Sequence, residues 1–193
     1  MAQTFPLPIR CSHCGHTSEA PVYRHINAVE DPETKAKVLS GEIFLFRCPA
    51  CGEKQLVTFP LIYRDGRLLL CLSGQELAVE GLGEVCGRRV ENVGDFIEKA
   101  KIFDAGLDDV AMELCKFVTR GDLQKNVDLR FLKLDGADND VIFTYPENGQ
   151  MQLVSVSFRT YEDCRGIVQR NPDLQPPAGL AVVDRNWVEK FLK

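Results

Sequence analysis

The sequence predicts an α+β protein of two domains, residues 1–84 and residues 88–193. A Cys-x-x-Cys-Gly turn occurs twice in the first domain, and strand-like sequence leads into each copy. In the second domain, apolar residues first recur at helical spacing and then alternate as they do in strands. The glycine-rich stretch 81–89 between them is predicted to be a linker.

The composition is that of an ordinary globular protein, with 45% hydrophobic and 26% charged residues. The longest apolar runs, such as LLLCL from Leu68, are far shorter than the roughly 20 residues of a membrane span. The N-terminus lacks the charged-then-apolar pattern of a signal peptide. We therefore expect a cytoplasmic protein without a membrane partner, because in a reducing compartment paired cysteines bind metals more often than they form disulfides.

The charge disfavours nucleic acid as a partner. The formal net charge is −5, and after residue 70 there are 21 acidic residues against 15 basic ones. Nucleic-acid-binding proteins usually carry a clustered basic face, because phosphate neutralisation supplies most of their affinity. A local basic patch stays open as an alternative, and it would consist of Arg10, Arg24, Arg47 and Lys54.

The two cysteine turns together predict one metal site. The first contains Cys11 and Cys14 in CSHCGH, and the second contains Cys48 and Cys51 in CPACGE. Zinc prefers four ligands in a tetrahedron, with thiolates at about 2.3 Å, and two such turns complete that shell. The prediction is a structural Zn²⁺ ion, which makes the first domain a zinc ribbon. Iron is not separated from zinc by sequence alone, since a Cys₄ shell accepts both.

Residues beside the cysteines support this prediction. Gly15 and Gly52 can adopt positive φ at little cost, which lets the chain turn tightly around a metal. Pro49 fixes one φ angle in the second turn before metal arrives. Four thiolates around a divalent cation leave a net charge of −2, which Arg10 and Arg47 can offset.

The remaining histidines and cysteines are expected to play no part in this site. His13 and His16 are interpreted as exposed polar side chains because four thiolates already close the shell, and His25 has no evident partner. A thioredoxin-like redox motif is disfavoured, because neither turn is followed by a helical pattern. The four other cysteines are interpreted as single buried residues, and they are Cys71, Cys86, Cys115 and Cys164.

Further signals place the other elements of the first domain. Asp31 before Pro32 indicates a helix start and Gly41 a stop, so a helix over residues 32–40 is inserted between the two cysteine turns. After the second turn, alternating sequence predicts two strands joined at Asp65-Gly66, a pair typical of hairpin turns.

The stretch INAVEDPETKAKVLSGEIFLFRCPACGEKQLVTFPLIYRD, together with CSHCGH, resembles the CpXC domain family of bacterial and archaeal proteins. That family is named for paired Cys-Pro-x-Cys motifs, and Cys48, Pro49 and Cys51 match fully. Ser12 stands where the family usually has proline. The resemblance is clearest over residues 7–70 and continues through RVENVGDFIEKAKIFDAGLDDVAMELCK. It implies a metal-binding domain of uncharacterised activity, so it transfers a site and no reaction.

The second domain is predicted to begin with a helix pair. Asp95 is expected to cap the first helix, Gly106 to end it, Asp108 and Asp109 to open the second, and Gly121 to end that one. A second metal at Asp104, Asp108 and Asp109 is disfavoured, because carboxylates are common at helix N-termini. The second helix carries an amphipathic stripe of Leu107, Val110, Ala111, Leu114, Cys115 and Val118.

An antiparallel meander of three strands follows, with an Asn-Gly turn between the last two. A short helix is then predicted over RTYEDCRGIVQR. DRNWVEKFLK predicts a C-terminal helix whose Trp187 docks into its own domain or into a partner, and its own domain is the preferred choice. The complete prediction is a zinc ribbon with an inserted helix, then a helix pair packed on an antiparallel meander with a C-terminal helix.

The predicted function is that of a non-enzymatic adaptor that binds a protein partner and holds zinc through Cys11, Cys14, Cys48 and Cys51. No Ser–His–Asp arrangement, P-loop or paired-carboxylate motif occurs. Two alternatives stay open. One is an enzyme whose unlocated site lies between the ribbon and the second domain, and the other is a nucleic-acid-binding ribbon. The sequence does not indicate the partner, the process or the oligomeric state.

Overall fold

The computed structural model describes residues 3–72 and 86–191, and its mixture of helices and sheets confirms an α+β protein. None of the described helices is both long and apolar enough to cross a membrane. The elements are, in chain order, β1 (Thr4–Arg10), β2 (Thr17–Tyr23), β3 (His25–Asn27), α1 (Pro32–Ser40), β4 (Leu45–Arg47), β5 (Lys54–Leu56), β6 (Leu61–Asp65), β7 (Leu68–Leu72), β8 (Cys86–Val90), α2 (Val93–Asp104), α3 (Asp109–Leu123), β9 (Arg130–Asp135), β10 (Asp140–Glu147), β11 (Gln150–Val156), α4 (Phe158–Arg170), β12 (Leu180–Ala181) and α5 (Arg185–Glu189).

The chain divides into two compact units. The first is Met1–Ile97 with Ala178–Ala181, and the second is Glu98–Pro177 with Val182–Lys193. This division differs from the predicted domains, because the residues from β8 to the first turns of α2 belong to the first unit. The chain also returns to that unit to add β12.

The first unit contains two antiparallel hairpins, β1–β2 and β4–β5. Arg10 pairs with Thr17 in the first hairpin, and Arg47 pairs with Lys54 in the second. Each pair therefore closes a turn of the same length, and each turn contains one Cys-x-x-Cys-Gly motif. The two hairpins therefore share the same arrangement of two strands around a cysteine turn.

Helix α1 lies between these hairpins in the chain and has the predicted bounds. The Asp31 side chain accepts a hydrogen bond from the Thr34 N–H at 3.0 Å, which satisfies one of the free donors at the helix start. Gly41 adopts φ of 80°, a left-handed conformation that suits glycine, and ends the helix. Local signals alone specify this element.

A five-stranded sheet in the order β12-β8-β7-β6-β3 forms the larger part of the first unit. The hairpin predicted at Asp65-Gly66 is present as β6–β7, and all five residues of β7 are buried. β7 pairs with β8 in parallel, so residues 86–89 form a strand and not the linker that we expected. Residues 81–85 of that predicted linker lie outside the described residues.

Gly87 explains why this strand was not recognised. A Cβ atom at Gly87 would overlap the carbonyl oxygen of Gly179, so only glycine lets the chain approach this closely beside β12. A glycine followed by two arginines is not a strand pattern. The backbone contact that requires the glycine is made by Gly179, which lies far along the chain, so the residues around Gly87 do not predict it.

Aromatic side chains hold the first turns of α2 in the first unit. The Phe96 ring lies 5.5 Å from that of Phe44, edge to face, and 6.0 Å from that of Tyr63. All three side chains are almost fully buried. Edge-to-face pairs of this kind add stability beyond the burial of their area.

The second unit contains the predicted meander, in the order β11-β10-β9 with antiparallel pairing. Asn148 and Gly149 both have positive φ, 51° and 75°, as the two-residue turn between β10 and β11 requires. Helix α4 covers the segment predicted as a short helix. In α5, the Trp187 indole N–H donates to the Leu174 carbonyl oxygen at 3.1 Å, so this side chain docks within its own unit as preferred.

The predicted ends of two helices need correction. α2 begins at Val93, and the Asn92 side chain accepts from the Asp95 N–H at 2.9 Å, so Asp95 lies inside the helix and does not cap it. Asp108 caps α3 as expected and accepts from the Ala111 N–H. That helix continues past Gly121 to Leu123, and Gln124, whose φ is 53°, caps its C-terminus. Glycine is tolerated inside α3 because the surrounding packing outweighs its weak helix propensity.

A buried cluster of charges joins α2 and α3, and the sequence did not reveal it. Lys99 lies 2.9 Å from the Asp109 carboxylate, and Lys116 lies 3.0 Å from that of Glu98 and 2.8 Å from that of Glu113. The amphipathic stripe predicted for α3 is only part of its buried surface, because Asp109, Glu113 and Lys116 are buried as well. Buried charges need such partners, because isolated ions are strongly destabilised away from water.

The cluster also reaches the meander, since the Glu98 carboxylate accepts from the Phe131 N–H at 2.6 Å. Burial alone would lower the pKa of Lys116, but the carboxylates of Glu98 and Glu113 raise it. Burial raises the pKa of Glu113, while the two lysines oppose that rise. The positive charge of Lys116 is therefore maintained by its two carboxylate neighbours.

Lys116→Met should destabilise the second unit by roughly 3–5 kcal/mol, because it removes the cation 3.0 Å from the buried Glu98 carboxylate and leaves Glu113 only the more distant Lys99, at 3.8 Å. Urea unfolding followed by circular dichroism measures the change. The control is Lys125→Met, which removes an exposed ion pair with Glu147 and should cost about 1 kcal/mol or less. Equal losses for both variants would contradict a structural role for the buried cluster.

Candidate metal centre

The structure brings together the four cysteines that the sequence predicts to bind metal. Their sulfur atoms all lie within 4.8 Å of one another, and both the Cys11–Cys51 and the Cys14–Cys48 sulfur pairs are 3.7 Å apart. A tetrahedron of sulfurs 2.3 Å from a central zinc has edges of about 3.8 Å. The four thiols, called the Cys₄ site below, therefore have the spacing and chemistry that fit one metal ion.

The glycines make the two turns nearly identical. Gly15 has φ of 73° and Gly52 has φ of 75°, a region that favours glycine. The Gly15 N–H donates to the Cys11 carbonyl oxygen at 3.0 Å, and the Gly52 N–H donates to that of Cys48 at 2.9 Å. In each turn the first cysteine is buried and the second is exposed, so the site lies at the surface.

Backbone N–H groups of the two turns act on the pKa values of the thiols. The N–H of Cys14, assisted by that of His13, lowers the pKa of Cys11 to about 6. The N–H of Glu53 also acts to lower the pKa of Cys51, but desolvation and the three neighbouring thiols raise that pKa to about 12. Four thiolates at this spacing repel one another, so a cation must enter for all of them to ionise.

One arginine lies beside each turn. A Cβ atom at Gly15 would lie 3.8 Å from a guanidinium nitrogen of Arg10, and one at Gly52 would lie 4.0 Å from a nitrogen of Arg47. These are the two cations expected to offset the negative charge of a Cys₄ shell. They flank the site at equivalent positions, because each is the last residue of the strand that leads into its turn.

Gln55 links the two hairpins at the site, and sequence reasoning missed it. Its side-chain oxygen accepts from the Ser12 N–H at 2.8 Å and from the Ser12 hydroxyl at 3.0 Å. Its side-chain nitrogen donates to the Arg10 carbonyl oxygen at 3.1 Å. Ser12 is where the family usually has proline, which has no N–H to donate. The serine at this position was a signal in the sequence that a backbone N–H is needed there. No motif, however, marks Gln55 as the residue that accepts from it.

The histidines lie outside the Cys₄ site. His13, His16 and His25 are all exposed, and none belongs to a group of metal-binding side chains. Within residues 3–72 and 86–191, the Cys₄ site is the one group of three or more potential ligands that converge. The acidic residues at the start of α3 have other roles, since Asp108 caps the helix and Asp109 pairs with Lys99.

The other cysteines also lie outside the site, but two of them are not single. Cys115 in α3 and Cys164 in α4 are both buried, and the Cys164 thiol lies near enough to that of Cys115 to raise its pKa, which corrects the expectation that the two stand alone. Burial acts in the same direction on the pKa of Cys115. Cys71 is buried, and burial raises its pKa too, whereas Cys86 is half-buried in β8. The two cysteines lie far apart in the sequence, so no local pattern indicates that they are neighbours.

Comparison with known proteins identifies one family. The family model described as CpXC protein matches residues 9–116, which include the whole Cys₄ site and more than half of the chain. Neither the curated proteins nor the solved structures include a match to the chain.

Cys48→Ser should destabilise the protein far more than Cys164→Ser does. Loss of a ligand removes metal-binding energy that also folds the first unit, roughly 3 kcal/mol or more. A serine at Cys164 replaces one buried sulfur by an oxygen of similar shape and should cost about 1–2 kcal/mol. Thermal melts of the two variants with metal present measure the difference. Equal shifts would contradict the separate roles assigned to the two cysteines.

Metal removal should expose the two hairpins while leaving the meander protected. The hairpins share a small core of Ile9, Cys11, Phe46 and Cys48, half of which consists of the cysteines themselves. Hydrogen exchange read by mass spectrometry, with and without a strong chelator, should show faster exchange in β1, β2, β4 and β5. Unchanged exchange after confirmed metal loss would contradict a structural site, and loss of protection along the whole chain would show that the two units unfold together.

Proposed function

The chain belongs to the CpXC protein family, and from that premise we propose that it is a cytoplasmic zinc-ribbon protein that binds a protein partner and catalyses no reaction. The observation that carries this proposal is the closed Cys₄ site. A catalytic zinc keeps one position open for water or substrate, whereas four protein thiolates fill a tetrahedral shell. The site therefore has the character of a structural centre.

Zinc is the metal that we propose for this site. Its tetrahedral preference and its affinity for thiolates agree with sulfur pairs 3.7 Å apart. Bound there, zinc would hold the two turns together without redox chemistry. Ligation by thiolates also requires reduced cysteines, which the cytoplasm maintains, and this supports the proposed location.

A binding role rather than an enzymatic one is supported by the positions of the titratable residues. The three histidines are exposed, and none is a member of the one converging group found among the described residues, which gives no support for a histidine as general base. The two lysines and three carboxylates of the buried cluster in the second unit pair with one another and are thereby occupied. A nucleic-acid role is opposed by the net charge of −5.

Purified protein should contain one zinc per chain, bound to four sulfurs at about 2.3 Å. Elemental analysis gives the stoichiometry, and X-ray absorption gives the ligand type and distance. A shell rich in nitrogen or a second metal would contradict the site, whereas iron with four sulfurs would contradict only the choice of zinc. Cys71→Ser, which lies outside the site, should retain the full metal content.

Partner binding is tested in the cells from which the protein comes. A tagged full-length chain should cross-link to one or more proteins at near-stoichiometric levels, and treatment with nuclease should not reduce their recovery. The control is tagged Cys48→Ser, in which the metal site is broken, and its recovery of the partner should fall. Recovery of nucleic acid in place of protein would favour the nucleic-acid alternative and contradict the proposal.

A further inference from the structure

A groove of about 460 Å³ lies in the first unit, between β2 and the segment that contains β4. Residues 18–23 line one side, and residues 42–47 line the other. Ile9, Phe46 and Val57 also line it, and all three belong to the apolar core shared by the two hairpins. The volume is within the roughly 300–1,000 Å³ that is usual for binding sites.

The β2 side of the groove is an unpaired strand edge. Within the described residues, β2 pairs with β1 alone. The Cys11 N–H donates to the His16 carbonyl oxygen at 2.8 Å, and hydrogen-bonded pairs then recur at every second position of the antiparallel ladder. Residues 18, 20 and 22 therefore bond to β1, and the backbone groups of residues 17, 19, 21 and 23 point away from it.

The β4 side is a second unpaired edge by the same argument. The Cys48 N–H donates to the Glu53 carbonyl oxygen at 2.8 Å, and the Val57 N–H donates to that of Phe44 at 2.9 Å. The backbone groups of residue 46 between these two positions thus face β5, while those of Arg47 face away from it. Among the described residues, β4 pairs with β5 alone.

The opposite edge of the same hairpin is blocked. By the alternation above, the backbone nitrogens of Pro6 and Pro8 in β1 point away from β2, and proline has no N–H to donate. Prolines at such positions prevent a further strand from pairing. The β2 edge has one proline, Pro21, and keeps the N–H groups of Thr17, Glu19 and Tyr23. This hairpin is therefore protected on one edge and open on the edge that lines the groove.

We infer that an extended peptide segment of a partner protein binds in this groove and adds a strand between β2 and β4. This inference rests on the proposed protein-binding function and names the site that would perform it. Backbone hydrogen bonds to two free edges would supply affinity, as in other cases of strand addition. The six-residue length of the β2 side suits a segment of about four to six residues.

The groove also indicates the side chains of this peptide. Every second residue of an added strand would face the apolar core, where Ile9 and Val57 leave room for small or branched apolar side chains. Ser18 lines the groove, and its buried hydroxyl has no hydrogen-bond partner among the described residues. A peptide carbonyl oxygen could accept from it, which would remove the cost of a buried unsatisfied group.

Selection from a phage-displayed library of random dodecapeptides on the zinc-loaded full chain should yield apolar-alternating sequences. Titration calorimetry then measures a synthetic copy of the best peptide against two variants. Glu19→Pro removes one outward N–H and should weaken binding by about tenfold or more. Glu19→Ala loses the same groove-lining side chain but keeps the N–H, so the difference in affinity between the two variants, about tenfold or more, measures the backbone hydrogen bond.

Glu19→Pro should fold, because Pro21 already occupies an equivalent outward position in the same strand. Folding of both variants is verified by a zinc content and a circular dichroism spectrum equal to those of the wild type. As a second measurement, amide exchange by nuclear magnetic resonance should slow by about tenfold or more at Thr17, Glu19 and Tyr23 when the peptide binds. Unchanged exchange at all three would overturn strand addition.

The outcomes separate this inference from the proposed function. Peptides that bind wild type and Glu19→Pro equally would overturn the groove as the site while leaving a protein-binding role intact. Absence of any enriched peptide would overturn an extended peptide as the occupant, and the cross-linking experiment would still judge the binding role. Wild-type dimers that Glu19→Pro converts to monomers would show that a second copy occupies the edge, which also overturns the inference.

Discussion

The convergence of four sulfurs from two distant turns is the constraint on which the two hairpins of the first unit depend. The two hairpins have few apolar residues to bury, and their shared core contains two of the four cysteines. Without a cation, the four thiols either retain protons or repel one another as thiolates. A bound metal would turn this repulsion into the strongest attraction between the hairpins, and Gln55 would add a direct hydrogen-bonded link from one hairpin to the other.

The same constraint connects the metal site to the proposed peptide groove. The first cysteine turn leads directly into β2, and β4 leads directly into the second turn. The two strand edges that line the groove are therefore each adjacent in sequence to two cysteines of the Cys₄ site. A structural metal at this place would set the distance between the edges, so a site without any catalytic position can still determine what the protein binds.

The second unit is stabilised in a different way. Its helices α2 and α3 bury two lysines among three carboxylates, and one of these carboxylates also binds the backbone of β9. Pairs of this kind are seldom more stabilising than apolar residues of the same size, but breaking one leaves an uncompensated charge. They therefore favour one arrangement of helices and meander over alternatives that would separate the partners.

The sequence by itself determined those features that depend on neighbouring residues. The limits of α1 follow from Asp31 and Gly41, the turn between β10 and β11 from Asn148 and Gly149, and the four members of the Cys₄ site from a repeated motif. Each is specified by a turn, a cap or a metal-ligand spacing only a few residues long. The α+β class follows from the order of such local signals.

Only the tertiary structure decided the rest. The strand β8, the Gln55 link, the buried lysines and the contact of Cys115 with Cys164 all depend on partners far away in the chain. A polar or glycine residue has the same local pattern whether it lies at the surface or meets such a partner. Burial and pairing are properties of the folded arrangement, and the physical reason is that they arise only when distant segments pack together.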